Sequence, residues 1–296
     1  MTCDITLFVN PTAGRGRGAH AAQPAARVLR AAGYRVRTVL GLDADDALRR
    51  ARAAVAGGTG ALVAVGGDGM TSLALQAVAD TGTPLGVVAV GTGNDFARAT
   101  GLPVRDPVAA AHRIAEALKS GGGRPVDLGR AGETWFGTVL AAGFDSRVND
   151  RGNRMRWPTG RFRYDLAILA ELAAFRTTPF RVRLDNGPEQ LIDATLIAVG
   201  NTGSYGGGMR ICADARFDDG LFDVTVVGRC SRRTLLRVFP RVYRGTHLSH
   251  PAVTVHRVRS ITLAADGVTG YADGELVGPL PLTVRAVPGA VRLLGA

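Results

Sequence analysis

The first part of the chain alternates between short apolar runs and longer segments in which apolar residues recur with helical spacing. The predicted strands are residues 4–10, 34–40, 61–67 and 84–90, and the predicted helices are residues 19–33, 43–58, 71–80 and 106–122. The third and fourth strands are continuously apolar, which is typical of strands buried in a parallel sheet. This order of elements predicts an α/β domain with an open parallel sheet.

After Asp127 the pattern changes to short alternating segments separated by turn residues, such as QLIDATLIAVGN and LFDVTVVG. A single helical pattern, residues 161–175, interrupts them. We therefore expect an α/β domain over residues 1–127 and a larger, mostly antiparallel β-sandwich-like domain over residues 128–286. Residues 287–296 are expected to pack back on the first domain, and the active site is expected in the cleft between the two domains.

Composition narrows the class of protein and the kind of partner. The formal net charge of this 296-residue chain is +11, and Lys119 is its only lysine. Such an excess of positive charge favours anionic partners, namely nucleotides, nucleic acid or an anionic membrane surface. Three widely spaced cysteines argue against a disulfide framework or a zinc site. With no signal-peptide pattern and no apolar run long enough to span a bilayer, we expect a cytoplasmic protein whose membrane contact is peripheral.

Three loops that follow predicted strands are rich in glycine, namely residues 10–18, 66–69 and 91–95. Open α/β sheets bind ligands at this edge, and glycine allows backbone amides to approach a phosphate closely. Asp68 and Asp95 lie at neighbouring strand ends, where two carboxylates repel each other unless a cation or a polar network separates them. A Mg²⁺-nucleotide suits this arrangement, because Mg²⁺ usually takes one or two carboxylates together with phosphate oxygens.

Each loop also has a purely structural interpretation. The glycines can form tight turns, Asp68 can cap the helix that follows, and Asn94 and Asp95 can form an Asx turn. The GxxxxGK[ST] motif and the dinucleotide-binding glycine fingerprint are both absent. Three such loops at three strand ends of one sheet nevertheless favour a phosphate-bearing ligand.

The segments NPTAGRGRG, GGDG and PLGVVAVGTGNDFAR, in this order and separation, resemble the diacylglycerol kinase catalytic domain of the lipid kinase family. This family includes bacterial diacylglycerol kinases and sphingosine-kinase-like enzymes and belongs to the NAD kinase superfamily. The resemblance continues in GN at 200–201, GGG at 206–208, ADARFDDGLFDV at 213–224 and YADGE at 271–275. It covers nearly the whole chain.

The resemblance implies a role for each matching residue. The ATP site would be lined by Asn10, Pro11, Thr12, Ala13, Gly14, Thr38, Gly67, Asp68, Gly69, Met70, Thr71, Ser72, Leu73, Thr92, Gly93 and Asn94. Asp68 would help to hold the catalytic Mg²⁺, with Asp95 and Asp127 in the same acidic network. Glu275 would be the general base that takes the proton from the lipid hydroxyl. A structural Mg²⁺ would be held by the carbonyls of Arg216 and Leu221 and by the Asp219 side chain.

Some of these residues have simpler interpretations, and two depart from the family pattern. Glu275 can be a solvated hairpin residue, since DG is a common turn, and the acidic residues near Asp219 can form an ordinary turn before a strand. The family usually has Thr after GGDG and Glu three positions later, where this chain has Met70 and Leu73. These departures bear on nucleotide affinity or selectivity, while Asp68 and Asp95 are kept.

A lipid kinase must also reach a bilayer. Residues 161–175 form an amphipathic pattern with arginines at its ends, although such a helix usually packs its apolar face on its own domain. The segment before it, with Arg151, Arg154, Arg156 and Trp157, is our preferred membrane-facing loop.

These observations predict an ATP- and Mg²⁺-dependent lipid kinase that phosphorylates diacylglycerol at an anionic membrane surface, on the inner face of the membrane. The alternatives are a soluble-metabolite kinase of the NAD kinase type and a degenerate, non-catalytic lipid-binding homologue. No recognition-helix motif, aromatic RNA-binding pattern or basic run is present, so we expect no nucleic-acid partner. An exposed strand edge in the second domain would allow a homodimer.

Overall fold

The computed structural model describes residues 4–9, 13–144, 148 and 177–296. The first domain alternates strands and helices. Its elements are β1 (Asp4–Val9), α1 (Ala13–Ala31), β2 (Arg35–Leu40), α2 (Ala44–Ala56), β3 (Ala61–Gly66), α3 (Asp68–Val78), β4 (Leu85–Ala89), α4 (Asp95–Ala99) and α5 (Pro107–Lys119). Strands β4, β3, β1 and β2 lie side by side in this order and are all parallel. The carboxyl ends of the strands therefore share one edge of the sheet.

Apolar side chains cover both faces of this parallel sheet. Along β3, Leu62 and Ala64 belong to one buried cluster, whereas Val63 and Val65 belong to another on the opposite face. Since successive side chains of a strand point to opposite faces, a strand buried on both faces must be continuously apolar. The apolar runs of the sequence thus give a buried sheet, and the glycine loops begin at the edge where its strands end.

The second domain consists mainly of antiparallel strands. Its elements are β5 (Arg124–Ala131), β6 (Thr134–Phe136), β7 (Val139–Gly143), β8 (Thr178–Leu184), β9 (Glu189–Gly200), β10 (Phe222–Gly228), α6 (Arg232–Val242), a 3₁₀ helix (Thr246–Ser249), β11 (Val253–Val258), β12 (Ser260–Ala264), β13 (Thr269–Ala272), β14 (Glu275–Pro279) and β15 (Leu282–Leu293). Its core contains Ile197 and Val199 of β9, which belong to one buried cluster with Phe180 and Ile261. On the opposite face of β9, Leu196 and Ala198 pack with α6.

Strand β15 connects the two domains. It pairs antiparallel with β12 and β5, and Leu293 then pairs in parallel with Leu85 of β4. Val291 and Leu293 join the buried cluster of the first domain. The end of the chain thus packs on the parallel sheet. Within the described residues, no helix is long and apolar enough to cross a membrane.

The observed elements agree with the predicted α/β and antiparallel parts, apart from helix α6 and the 3₁₀ helix, which the prediction of a single helix in the second part missed, and two helix starts. Helix α1 begins at Ala13 rather than at residue 19, so most of the first glycine loop is helical. Helix α3 begins at Asp68 rather than at residue 71. Both early turns are glycine-rich and lack apolar periodicity, so the hydrophobic pattern could not reveal them. The helix predicted over residues 161–175 and the loop with Arg151 and Trp157 lie outside the described residues.

Candidate active site

The loops that follow β3 and β4 touch each other at two glycines. A Cβ placed on Gly91 would lie 2.5 Å from the Gly67 Cα, and the Val90 amide donates to the Gly66 carbonyl at 2.8 Å. Real Cβ atoms do not approach backbone so closely, so the contact requires glycine. The second and third glycine loops therefore form one continuous surface at the edge of the sheet.

Asp68 is the first residue of α3, and its carboxylate reaches across to the start of α4. Its Oδ2 accepts the Asn94 amide and its Oδ1 accepts the Asp95 amide, both at 2.7 Å. The residue before α3, Gly67, makes no side-chain cap. Asp68 therefore does not cap its own helix. In the first turn of α3 the Met70 and Thr71 amides donate to the Gly67 carbonyl, and the N-terminus of such a helix favours an anion.

Asn94 closes the third loop on itself. It has a left-handed backbone with φ 56° and is buried. Its Oδ1 accepts the Gly91 amide at 2.8 Å, and its Nδ2 donates to the Gly91 carbonyl at 3.0 Å. The side-chain amide of Asn94 is thus used within the loop, as the Asx-turn interpretation expected. This ring of bonds orients the amides that bind Asp68.

Asp95 carries a carboxylate oxygen that has no partner within the described residues. Its Oδ2 accepts the Gly207 amide at 2.7 Å, whereas Oδ1 is buried and makes no hydrogen bond there. Burial raises the pKa of Asp95 above its ordinary value, and the charge of Asp68 adds to this effect. A Cβ on Gly93 would lie 2.6 Å from Asp68 Oδ2 and 3.4 Å from Asp95 Oδ2. The two carboxylates therefore face the same small space beside Gly93.

The hairpin between β13 and β14 brings a third carboxylate from the second domain. Glu275 begins β14 and is exposed, and its Oε1 lies 3.6 Å from the position of a Cβ on Gly69. Gly69 is in the first turn of α3, one residue after Asp68. The predicted base and the predicted phosphate loop thus face each other across the cleft between the domains.

Asp273 fixes this hairpin, and the sequence interpretation gave it no role. Its carboxylate accepts the Gly137 and Thr138 amides, both at 2.8 Å, and the Thr138 hydroxyl. Burial raises the pKa of Asp273, and the Asp68 charge contributes. The sequence did contain a sign of this role, because Asp273 belongs to the DGE motif and lies two residues before the candidate base Glu275. Gly207 was missed as the amide donor to Asp95, although GGG at 206–208 had been noted.

Not all predicted site residues come together at this point. Asn10, Pro11 and Thr12 lie outside the described residues, and Ala13 and Gly14 begin α1. Thr92 is exposed at the tip of the third loop, and Thr71 and Ser72 lie in α3. Thr38 lies on β2 in a separate groove of about 400 Å³ against α1. The groups that contact the Asp68 and Asp95 carboxylates are Gly93 and the amides of Asn94, Asp95 and Gly207.

The two departures from the family pattern have their side chains away from the phosphate edge. Met70 is buried in the core cluster beneath α3, and Leu73 packs against the same cluster. The Met70 amide donates to the Gly67 carbonyl at 3.0 Å. In this chain these two positions therefore contribute core packing, and neither presents a polar side chain to a nucleotide.

Asp127 and the predicted structural metal site lie at another turn. Asp127 Oδ2 accepts the Gly220 amide at 2.6 Å and Oδ1 accepts the Gly289 amide at 2.8 Å, so its carboxylate joins the Asp219 turn to β15. Its hydrogen bonds do not include Asp68 or Asp95. Asn201 adds to this joint, because its Nδ2 donates to the carbonyls of Asp127 and Gly137.

The side chain of Asp219 is already engaged on both oxygens. Its Oδ1 accepts the Leu221 amide at 3.0 Å, and Oδ2 pairs with the Arg257 guanidinium. Arg257 also contacts Asp223 at 3.3 Å. As placed, Asp219 and the Arg216 and Leu221 carbonyls do not fit a divalent cation unless Arg257 moves away, because a guanidinium supplies the positive charge at this turn. No group of three or more His, Cys, Asp or Glu side chains suited to a metal ion occurs in the part of the chain described.

Both parts of the chain match known protein families. Residues 4–131 match the diacylglycerol kinase catalytic domain, and residues 138–295 match the YegS C-terminal NAD kinase beta sandwich-like domain. A protein from Mycobacterium tuberculosis named diacylglycerol kinase is 46% identical over 98% of this chain and 94% of its own length. One of the same name from Bacillus subtilis is 27% identical over 93% of this chain and 90% of its own length.

Solved structures share the fold. The crystal structure of a diacylglycerol kinase from Bacillus anthracis superposes with a TM-score of 0.77 at 22% identity, covering 98% of this chain and 96% of the other. An NAD kinase from Archaeoglobus fulgidus in complex with ATP gives a TM-score of 0.54 at 12% identity, covering 99% and 93%. The chain therefore belongs to the diacylglycerol kinase family, and it is a kinase for which the family implies ATP as the phosphate donor.

Proposed function

We propose that this kinase transfers the γ-phosphoryl group of ATP, in a Mg²⁺-dependent reaction, to the free hydroxyl of diacylglycerol, giving phosphatidic acid. The observation that carries the proposal is the position of Glu275, whose carboxylate on the second domain faces the first turn of α3 on the first domain. A cleft of this kind can hold an anionic donor on one side and a hydroxyl acceptor on the other.

The donor side fits a nucleotide with a divalent cation. The uncapped first turn of α3 and the glycine loop at Gly93 can receive phosphate oxygens, and the unpartnered Asp95 Oδ1 beside Asp68 is suited to a cation. Each Asp68 oxygen accepts one amide and keeps a second lone pair. Bound Mg²⁺ would neutralise charge on the transferring phosphoryl group. Burial raises the pKa of Asp95, and a bound cation would favour its ionised form, since a nearby opposite charge stabilises a carboxylate.

On the acceptor side, Glu275 takes the proton of the lipid hydroxyl. The hydroxyl oxygen then forms a bond to the γ-phosphorus, the bond from that phosphorus to the bridging oxygen breaks, and ADP leaves. Proton acceptance by a positioned carboxylate contributes about 10²–10⁴-fold in rate. Asp273 holds the hairpin in place through Gly137 and Thr138, so Glu275 stays directed toward the donor loop.

The choice of acceptor rests on the named relatives. The Mycobacterium tuberculosis protein that shares 46% identity carries the name diacylglycerol kinase. The NAD kinases share the fold at 12% identity, which supports no transfer of their acceptor. We further propose that residues 1–127 and 128–286 act as donor and acceptor domains, and that the enzyme works peripherally on the cytoplasmic face of the membrane. Among the described strands β11 pairs only with β10, which leaves an edge for a homodimer.

The test is transfer of label from γ-labelled ATP, with and without Mg²⁺, to separate acceptors in mixed micelles. The acceptors are diacylglycerol, a sphingoid base, phosphatidylglycerol and a glycolipid, with NAD tested in solution. We expect Mg²⁺-dependent label in diacylglycerol. Label in NAD alone would favour the NAD kinase type, and ATP binding without transfer to any acceptor would favour a non-catalytic lipid-binding homologue.

A further inference from the structure

Helix α6 presents a basic and apolar face to the surroundings. It begins after Ser231, whose hydroxyl accepts the Thr234 amide at 3.1 Å, and its sequence RRTLLRVFPRV contains four arginines and no acidic residue. Arg244 follows two residues after its end. An amphipathic helix packs its apolar side on its own domain. A second, basic and apolar side that stays exposed is typical of a helix that contacts an anionic surface.

Burial shows which side of α6 faces the protein. Val238 and Val242 are buried, and Leu235 packs with Val242 on the outer face of the sandwich. Successive helical residues are about 100° apart, so Leu236 and Tyr243 lie on a flank of α6, between the buried side and the exposed arginines. Leu236 is 56% exposed and Tyr243 is 45% exposed. These two side chains form an exposed apolar strip along this flank.

The arginines lie beside this apolar strip. Arg233, Arg237 and Arg244 are exposed and make no ion pair with any described residue. Arg241, on the side nearer the protein, donates to the Thr246 carbonyl and the Ser249 hydroxyl. The outer face of α6 thus combines arginines that form no ion pair within the described part of the chain with exposed apolar side chains on adjoining strips of one helix.

The position of α6 connects this face to the candidate active site. The Arg210 amide donates to the Val242 carbonyl at 3.1 Å, which fixes the end of α6 to the loop before Arg210. The same loop carries Gly207, whose amide binds Asp95. Phe144, directly after β7, packs in the same cluster as Val242. A surface held against the outer face of α6 would therefore lie near the cleft that a lipid must enter.

We propose that the exposed face of α6 docks this enzyme on an anionic membrane surface. Arg233, Arg237 and Arg244 bind the anionic headgroups, and Leu236 and Tyr243 enter the boundary between headgroups and acyl chains. The proposal rests on the lipid-kinase function proposed above. Charge complementarity selects an anionic partner, and the apolar strip beside the charges favours a membrane over a nucleic acid, whose backbone offers no apolar layer to receive it.

The first test removes the charges. Binding of the full-length protein to vesicles of phosphatidylcholine, with or without phosphatidylglycerol, is measured by co-sedimentation for the triple variant Arg233→Gln, Arg237→Gln, Arg244→Gln. The control is Arg37→Gln, Arg52→Gln, Lys119→Gln, which removes the same charge from exposed positions of the first domain. We expect about 100-fold weaker binding to anionic vesicles for the α6 variant only. Equal binding by both variants would overturn the proposal.

The second test concerns the apolar strip. Leu236→Gln with Tyr243→Gln is compared with Leu42→Gln, which alters a leucine that is 90% exposed on the first domain. We expect the α6 variant to lose binding to anionic vesicles and Leu42→Gln to keep it. Unchanged vesicle binding by the α6 variant, or tighter binding of the wild type to a nucleic-acid duplex than to these vesicles, would contradict membrane docking.

Activity separates failure of docking from failure of the proposed function. Both α6 variants are expected to phosphorylate a short-chain, water-soluble diacylglycerol at the wild-type rate and to lose activity on long-chain diacylglycerol in vesicles. If the wild type binds vesicles through α6 yet phosphorylates neither acceptor, docking is supported and the diacylglycerol kinase function is refuted. If the α6 variants lose activity on the soluble acceptor as well, α6 acts on the active site itself and the docking role is refuted.

Discussion

At the scale of single residues, Asp68 and Asp95 have opposite roles although they lie side by side. Asp68 accepts an amide on each oxygen and joins α3 to α4, whereas Asp95 keeps a buried oxygen with no described partner. A buried carboxylate oxygen without a hydrogen-bond partner costs stability, and such a cost persists where function requires it. We therefore expect that a substitution of Asp95 stabilises the fold but lowers activity.

Replacing Asp95 by Asn tests this opposition. Because the pKa of Asp95 is raised in the folded state, its favourable contribution to stability is present at low pH and is lost as the pH rises through that folded pKa. We expect Asp95→Asn, measured without Mg²⁺ at about pH 7, to raise the Tm, and to raise it less at about pH 4. Phosphoryl transfer should fall by roughly 10²-fold or more. A lower Tm at neutral pH would show that the ionised carboxylate stabilises the fold.

Asp273 is expected to act on the reaction by holding Glu275. Asp273→Asn places an amide NH₂ opposite one of the N–H groups of Gly137 or Thr138, so the hairpin loses at least one hydrogen bond. We expect a lower Tm, about 1–3 kcal/mol less stability and a larger fall in kcat than in ATP affinity. Calorimetric ATP titration beside steady-state rates measures this. A change confined to ATP affinity would place Asp273 in the donor site instead.

At the scale of elements, the junction of α3 and α4 depends on glycines whose roles differ. Gly93 lies against both carboxylates, and an added Cβ would approach Asp68 Oδ2 to 2.6 Å. The corresponding contact at Gly69 is 3.6 Å to Glu275 Oε1, an ordinary van der Waals distance. One glycine is thus required by the packing and the other is not.

The pair Gly93→Ala and Gly69→Ala distinguishes these roles. Gly93→Ala must move the Asp68 carboxylate or the loop. We therefore expect the variant to lose about 1–3 kcal/mol of stability and also to lose ATP binding. Gly69→Ala should keep or gain stability, by up to about 1 kcal/mol, because alanine favours the helix. Chemical denaturation and ATP titration of the two variants provide the comparison. Equal losses in both would mean that the loops tolerate no side chain at either position.

The hydrophobic pattern predicted most of these elements but not the contacts between them. Continuously apolar β3 and β4 indicated a buried parallel sheet, and the change after Asp127 indicated antiparallel strands. The bonds from Asp68 to the Asn94 and Asp95 amides join residues 26 and 27 positions apart. Local periodicity contains no information about such pairs. Met70 and Leu73, which the family resemblance places at the ATP site, have side chains that pack in or against the core, and this burial too depends on contacts between distant parts of the chain.

At the scale of the whole molecule, β15 and the Asp219 turn connect the two domains. Asp127, from the first strand of the antiparallel part, accepts amides from both Gly220 and Gly289. Arg257 holds Asp219 and Asp223 beside this joint. Burial raises the pKa of Asp223 although Arg257 opposes that effect. At this joint the Arg257 guanidinium thus provides the positive charge that balances the Asp219 and Asp223 carboxylates.

We expect this joint to be stable without a divalent cation. The Tm of the wild type should be the same in Mg²⁺ and in EDTA when no nucleotide is present. Arg257→Met should lower the Tm and make it Mg²⁺-dependent, since Asp219 and Asp223 are then left without their partner. Arg259→Met, at an exposed neighbour, is the control. A fall of the wild-type Tm on chelation would instead support the structural Mg²⁺ that the family resemblance implied.

The central claim is that the cleft joins an ATP site on the first domain to a hydroxyl-activating carboxylate on the second. The most direct measurement is transfer of label from γ-labelled ATP to diacylglycerol by the wild type, Glu275→Ala and Asp68→Ala, with ATP affinity measured in parallel. We predict that Glu275→Ala keeps ATP affinity and Tm, because Glu275 is exposed, and loses about 10²–10⁴-fold in rate. Asp68→Ala should lose both transfer and ATP affinity. Transfer at the wild-type rate by Glu275→Ala would contradict the account.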